Sequence, residues 1–391
     1  MAELAGQIGI VGSGPRGLAI ATACLASGWR VRLADLAATT PGARARTHTS
    51  LEAQSQPRAE AAPPRGAAAL ELVDAVALVA AGSHIVIEAA VEDAALKDRL
   101  FRELDACSPA DTVLATATGH LSVAARAAVV RRPERVLGLH FVDHVPGSPS
   151  VHPFVEMAVT SLTSPGTVEA AGEFVASLQG TLIRCADSPG FVVGRLGRPY
   201  VLEAMRLLEA GHGSVAGIDA ALESAGYACG PFRLIDQIGL DLDLALSAAL
   251  HETFAAARFR PPSIQATLVR QGRLGRARGG GFYRYAADGG ADPGETVDER
   301  WPLSAEEIVE RLELAVINEA YRAVEERVAS PPDVDLAMRL GAGHPSGPFE
   351  RAGQLGLRAI VQQLRRLYAE TRDRSGDQYE VAQALWQMAT L

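Results

Sequence analysis

Residues 7–17 read QIGIVGSGPRG, a short apolar run that turns into Gly12-Ser13-Gly14-Pro15-Arg16-Gly17. The run predicts a buried strand, and LAIATACLASG after it has the spacing of a helix. Glycines at first, third and sixth position allow a tight turn and close approach of a pyrophosphate to the free N–H groups of a helix start. The motif is weak alone, but its surroundings fit. A second strand, WRVRLADL, ends in Asp35, which lies 18 residues beyond Gly17. An acid there accepts from ribose hydroxyls, which favours NAD over NADP. The expected dinucleotide contacts are therefore Gly12, Gly14, Gly17 and Asp35.

Working outward, residues 37–68 are rich in Ala, Thr and Pro and read as a loop or arm, with Arg44, Arg46, Arg58 and Arg65 as a basic surface. Residues 69–80 read as a helix, IVIEAA after His84 as a buried strand, and DTVLATAT at 111–118 as a further strand leading into Gly119-His120. Strands alternating with helices predict an α/β fold with a doubly wound parallel sheet.

The stretch GLHFVDHVPGSPSVHPFVE at 138–156 places His140 before a Pro/Gly/Ser loop and Glu156 after it. The loop allows Glu156 to fold back on His140. A carboxylate fixes one tautomer of a neighbouring imidazole and prepares it to take a proton from an alcohol. The plainer alternative is a histidine and a glutamate exposed at strand ends. A metal site from His140, His144, His152 and Glu156 fits no standard ligand spacing, and no metal is expected.

From about residue 188 the chain changes to long helices, entered by Ser188-Pro189-Gly190. GPFRLIDQIGLD at 230–241 recurs as GPFERAGQLGLR at 347–358, and IDAAL at 218–222 as VDLAM at 334–338, at offsets of 117 and 116 residues. GRLGRPYVLEA at 194–204 recurs as ERLELAVINEA at 310–320. The chain thus divides into an α/β domain at 1–187, a helical domain at 188–286, a linker at 287–303 and a second, duplicated helical domain at 304–391. A duplicated unit packs against its own copy as two chains do in a dimer, so a monomer is expected.

The 391 residues are 48% hydrophobic, enough for more than one core. A net charge of −9 argues against nucleic acid and anionic membranes as partners. Cys24, Cys107, Cys185 and Cys229 form no C-x-x-C pair, which suits reduced thiols in the cytoplasm. No targeting segment or membrane span is read.

Taken together, GIVGSGPRG at 9–17, VIEAAVEDAALK at 86–97, DTVLATAT at 111–118, GLHFVDHVP at 138–146, SPGFVVGRL at 188–196 and GRLGRARGGGFYRY at 272–285 resemble the L-3-hydroxyacyl-CoA dehydrogenase family in its version with two C-terminal helical domains. The resemblance implies a Rossmann domain followed by helical domains, NAD as cofactor, and oxidation of 3-hydroxyacyl thioesters on coenzyme A, with an acyl carrier protein as the variant. It implies His140 as catalytic base, Glu156 as its partner, and Glu92 and Lys97 near the nicotinamide ribose. There are departures. Gly119 stands where the family has Ser, Gly194 where it has Asn, Pro153 where it commonly has Lys, and the loop from His140 to Glu156 is four residues longer than usual. Losing one polarising donor typically costs ~10²–10³ in turnover. The alternative is therefore a diverged NAD- or acyl-binding protein with little dehydrogenase activity or a changed reaction.

Overall fold

The computed structural model describes residues 6–34, 70–143, 145, 152–286, 290–293, 300–371 and 377–390. Eight strands build one sheet: β1 (Gln7–Val11), β2 (Arg30–Ala34), β3 (Leu70–Val73), β4 (Ile85–Glu88), β5 (Val113–Thr116), β6 (Val136–Phe141), β7 (Phe154–Val159) and β8 (Thr181–Ala186). Their order is β3-β2-β1-β4-β5-β6-β7-β8. Strands β1 to β6 are parallel, β7 runs antiparallel to β6, and β8 is parallel to β7. The central strands β4, β5 and β6 are buried throughout, as expected where helices cover both faces of a parallel sheet. Their apolar side chains, among them Ile87, Val113, Leu137 and Leu139, form one core with Ile8, Ile10, Leu33 and Phe174. The first six strands have the dinucleotide-binding order, and its reversal between β1 and β4 marks the crevice where such sheets take their ligands.

Helices α1 (Pro15–Ala26), α2 (Val76–Ala80), α3 (Ala94–Cys107), α4 (Val123–Ala127) and α5 (Pro165–Ser177) complete this unit, which ends at Ser188. One expectation is corrected here. Residues 69–80 are not one helix: Leu70–Val73 pair with β2 in the register Leu33↔Leu72, and only Val76–Ala80 are helical. Ala and Leu favour a helix locally, but the open edge of β2 offers a ladder of backbone bonds and a buried place for Val73, and tertiary pairing overrides propensity.

The second unit takes in Asp143 and runs on from Pro189, where it holds both helical copies. The first copy contains α6 (Val193–Glu209), α7 (Val215–Ser224), α8 (Pro231–Ile238), α9 (Leu240–Phe254) and α10 (Ser263–Arg270), and the second contains α11 (Ala305–Glu325), α12 (Pro331–Leu336), α13 (Pro348–Leu355), α14 (Leu357–Thr371) and α15 (Gln383–Thr390). The first copy does not stay helical to its end, because Arg284–Tyr285 pair antiparallel with Ala291–Asp292. The duplication reaches individual hydrogen bonds. Asp219 accepts from the backbone N–H of Phe232 and Arg233 at the start of α8, and Asp335 accepts from Phe349 and Glu350 at the start of α13.

The long helices α6 and α11 pack together, and their corresponding buried glutamates are exchanged between copies. Tyr379 of the second copy donates to Glu203 of the first, while Arg195 and Arg258 of the first each donate to Glu319 of the second at 2.7 Å. His344 corresponds to Tyr227 in the repeat, and the two rings meet edge-on at 4.8 Å. Burial lowers the His344 pKa from 6.5 to about 3. A depressed histidine pKa means that the fold holds the neutral ring. Its contribution to stability is complete above the unfolded value of 6.5 and declines as pH falls from there towards about 3. In urea titrations from about pH 7 to pH 4, the midpoint of His344→Phe is expected to fall less than that of the wild type.

Candidate active site

The carboxyl ends of β1, β4, β5 and β6 share one edge of the sheet, and β7, being antiparallel, starts there. At this edge Gly12 has φ +114°, and an added Cβ would lie 2.7 Å from the Ala89 backbone. A Cβ at Gly17 would lie 1.9 Å from the Gly12 carbonyl oxygen. At Gly14 the same atom would meet nothing within 4 Å, and no side chain caps the start of α1. Two glycines are thus required by packing and one leaves an open approach to free N–H groups, which fits the pyrophosphate of a dinucleotide. Asp35 lies outside the described residues, as do His144 and the arginines of the 37–68 arm. The residue before Asp35 is at the motif, since the Ala34 carbonyl accepts from the Gly12 N–H at 2.9 Å.

His140 and Glu156 face each other directly in the β6–β7 register. His140 Nδ1 lies 2.7 Å from Glu156 Oε2, with the carboxylate fully buried and the imidazole 11% exposed. An ionised carboxylate only accepts, so Nδ1 carries the hydrogen, and in the neutral ring Nε2 is then the acceptor. Nε2 points towards Gly119: a Cβ built there would lie 3.1 Å from it. The structure therefore joins the two residues that the sequence paired, and turns Nε2 to the loop after β5.

Glu92 and Lys97 take different places from one another. Glu92 binds the loops at this edge together, accepting from Thr118 Oγ1 at 2.8 Å, the Gly119 N–H at 3.1 Å and Arg16 at 3.2 Å. Burial works against its ionisation, but the Lys97 ammonium, the Thr118 hydroxyl, His120 and the Gly119 N–H together hold its pKa below the usual value. Arg16 of the glycine motif also donates to the Ala117 carbonyl at 3.0 Å, so the loops after β1, β4 and β5 form one hydrogen-bonded set. Lys97 is buried, and its ammonium donates to both oxygens of Glu88 at 2.8 and 2.9 Å and to the Ala90 carbonyl at 3.1 Å. Glu88 also accepts from Thr116 Oγ1 and the Ala90 N–H. Glu88, Thr116, Thr118 and Arg16 were not among the expected site residues. The available signal was an acid ending the apolar strand IVIE with a lysine nine residues later.

His120 is half-buried beside this set. Burial lowers its pKa; Glu92 opposes this, and the positive charges of Arg16 and Lys97 add to the lowering. Gly194 lies in the first turn of α6, where its carbonyl accepts from Arg198 Nε at 3.2 Å.

Residues 7–188 match the model of the 3-hydroxyacyl-CoA dehydrogenase NAD binding domain. Residues 190–285 and 308–391 each match the C-terminal domain of the same family, one match per helical copy. The chain is 30% identical to 3-hydroxyadipyl-CoA dehydrogenase of Escherichia coli, with 94% of this chain and 95% of that protein covered. It is 38% identical to 3-hydroxybutyryl-CoA dehydrogenase of Mycobacterium tuberculosis over 52% of this chain and 70% of that one. The crystal structure of 3-hydroxybutyryl-CoA dehydrogenase from Escherichia coli superposes with a TM-score of 0.83 at 28% identity, covering 98% of both chains. Among the described residues no helix is long and apolar enough to cross a membrane.

Proposed function

The chain belongs to the 3-hydroxyacyl-CoA dehydrogenase family, and from that premise we propose that it interconverts 3-hydroxyacyl and 3-oxoacyl thioesters of coenzyme A, with His140 as acid/base and Glu156 orienting it. The observation that carries this reading is the 2.7 Å contact of His140 Nδ1 with Glu156 at the sheet edge that bears the glycine motif. In the oxidation direction His140 Nε2 takes the proton of the 3-hydroxyl, and Glu156 holds the Nδ1 hydrogen and stabilises the imidazolium that forms. NAD, when bound, supplies the acceptor for the hydride that leaves C3. Gly12, Gly14 and Gly17 admit its pyrophosphate, and Asp35 accepts from its ribose. Glu92 and Lys97 act by holding the loops after β4 and β5 in place. In the helical unit each copy covers the other, and we assign a monomer.

The test is anaerobic stopped-flow of NADH with 3-oxoacyl-CoA. Oxidation of NADH that depends on the thioester supports the reading, and NADH binding without turnover on any thioester overturns it. In the same assay Asp35→Ala is expected to relax the preference for NADH over NADPH by roughly 10- to 100-fold, the worth of a charged hydrogen bond to the ribose.

A further inference from the structure

At the amino ends of β4 and β5, the opposite edge of the sheet from the glycine motif, the α/β unit holds a pocket of about 520 Å³. Its apolar side is made by Trp29, Phe174, Ile85 and Val113, and the Trp29 ring stands edge-on to Phe174 at 5.7 Å and to His84 at 6.5 Å. Most polar groups around it are already satisfied within the protein. Trp29 Nε1 donates to Ser177 Oγ at 2.9 Å, Ser83 Oγ to the Val79 carbonyl at 2.6 Å, and Thr112 Oγ1 to the Ser83 carbonyl at 2.9 Å. The loop before β5 is pinned by two arginines that do not line the pocket: Arg135 donates to the Pro109 carbonyl at 2.7 Å and Arg132 to the Ala110 carbonyl at 3.0 Å.

Two carboxylates are left over. Asp111 and Glu173 line the pocket, both are exposed, and neither has a hydrogen-bond or ion-pair partner among the described residues. Among the described residues no lysine or arginine lines it. Ionised carboxylates only accept, so a ligand there must donate, and two of them beside aromatic rings favour a donor that carries positive charge. The same pair repels an anion. The volume is that of a small-molecule site. We propose that this pocket binds a small organic cation, an amine whose ammonium meets Asp111 and Glu173 while its apolar body lies against Trp29 and Phe174. The inference goes beyond the dehydrogenase reading and does not rest on it.

The experiment is isothermal titration calorimetry of the full-length protein with phenethylamine, and with phenylethanol and phenylacetate as its neutral and anionic counterparts. Phenethylamine is expected to bind with a Kd below about 1 mM, within reach of a ligand of its size. The alcohol is expected to bind roughly tenfold more weakly, the worth of two exposed charge contacts, and phenylacetate to give no heat of binding. This comparison needs no variant. Asp111→Asn/Glu173→Gln is expected to bind the amine no better than the alcohol, while keeping the wild-type urea midpoint, since both positions are exposed. Because the glycine motif lies at the other edge of the sheet, the amine and NADH are expected to bind together. No binding of the amine, equal binding of amine and alcohol, an unchanged amine affinity in the double variant, or mutual exclusion with NADH each overturns the proposal. None of these results bears on turnover of a thioester, so the dehydrogenase reading stands or falls separately.

Discussion

Replacing His140 with alanine is expected to lower kcat for thioester reduction by roughly 10²–10⁴-fold, the contribution of a positioned acid/base, while the affinity for NADH stays within a few-fold of wild type. The separation follows from placement. His140 sits at the end of β6 with Glu156 opposite it, whereas the pyrophosphate is proposed to meet Gly12, Gly14 and the start of α1. Glu156→Gln should leave partial activity. A glutamine amide can turn either its oxygen or its NH₂ to Nδ1, and the second arrangement puts the imidazole hydrogen on Nε2, where it cannot accept the substrate proton. Stopped-flow traces of NADH consumption measure both variants, and a His140→Ala enzyme within threefold of wild-type kcat would remove the acid/base role.

The parts of this site that could be read from sequence are those made by residues close together in the chain. The glycine motif, the strand before it and the helix after it lie within one turn of backbone, so the requirement for Gly12 and Gly17 is legible from spacing alone. His140 and Glu156 were legible because one hairpin-like connection joins them, although the sequence could not give their exact register. The helical repeat was legible as matching words, and its structural counterpart is the pair of capping carboxylates Asp219 and Asp335. What the sequence hid depends on partners far away. Residues 70–73 look helical until the free edge of β2 is known to be beside them. Residues 160–187, which carry α5 and β8, offered no motif, and β8 is fixed by pairing with β7 in the register Glu156↔Ile183. Arg195 is fully buried and reaches Glu319, 124 residues away, a pairing set only by tertiary packing.

Lys97 gives the second large effect, one of stability. Its motif position suggested a contact with the nicotinamide ribose, but its ammonium is 1% exposed and held by Glu88, which is fully buried at the end of β4. Lys97→Met keeps the length of the side chain and leaves the Glu88 carboxylate without its cation in the core. Removing one member of a buried ion pair typically costs about 3–5 kcal/mol, because the remaining charge is neither hydrated nor paired. Equilibrium urea unfolding, followed by a probe in the α/β unit, should show that loss as a lower midpoint at unchanged slope. The double variant Glu88→Leu/Lys97→Met removes both charges and should regain much of the stability, since exchanging a whole buried pair for apolar groups is often close to neutral. The regain should not extend to catalysis. Glu88 also holds the Ala90 N–H, and Lys97 the Ala90 carbonyl, so without the pair the loop carrying Glu92 loses two anchors. Glu92 in turn fixes the Gly119 N–H next to His140 Nε2. A stable double variant with reduced kcat would place Lys97 in the support of that loop. If Lys97→Met instead weakened NADH binding at unchanged stability, the lysine would act on the cofactor directly and the buried pair would not be its purpose.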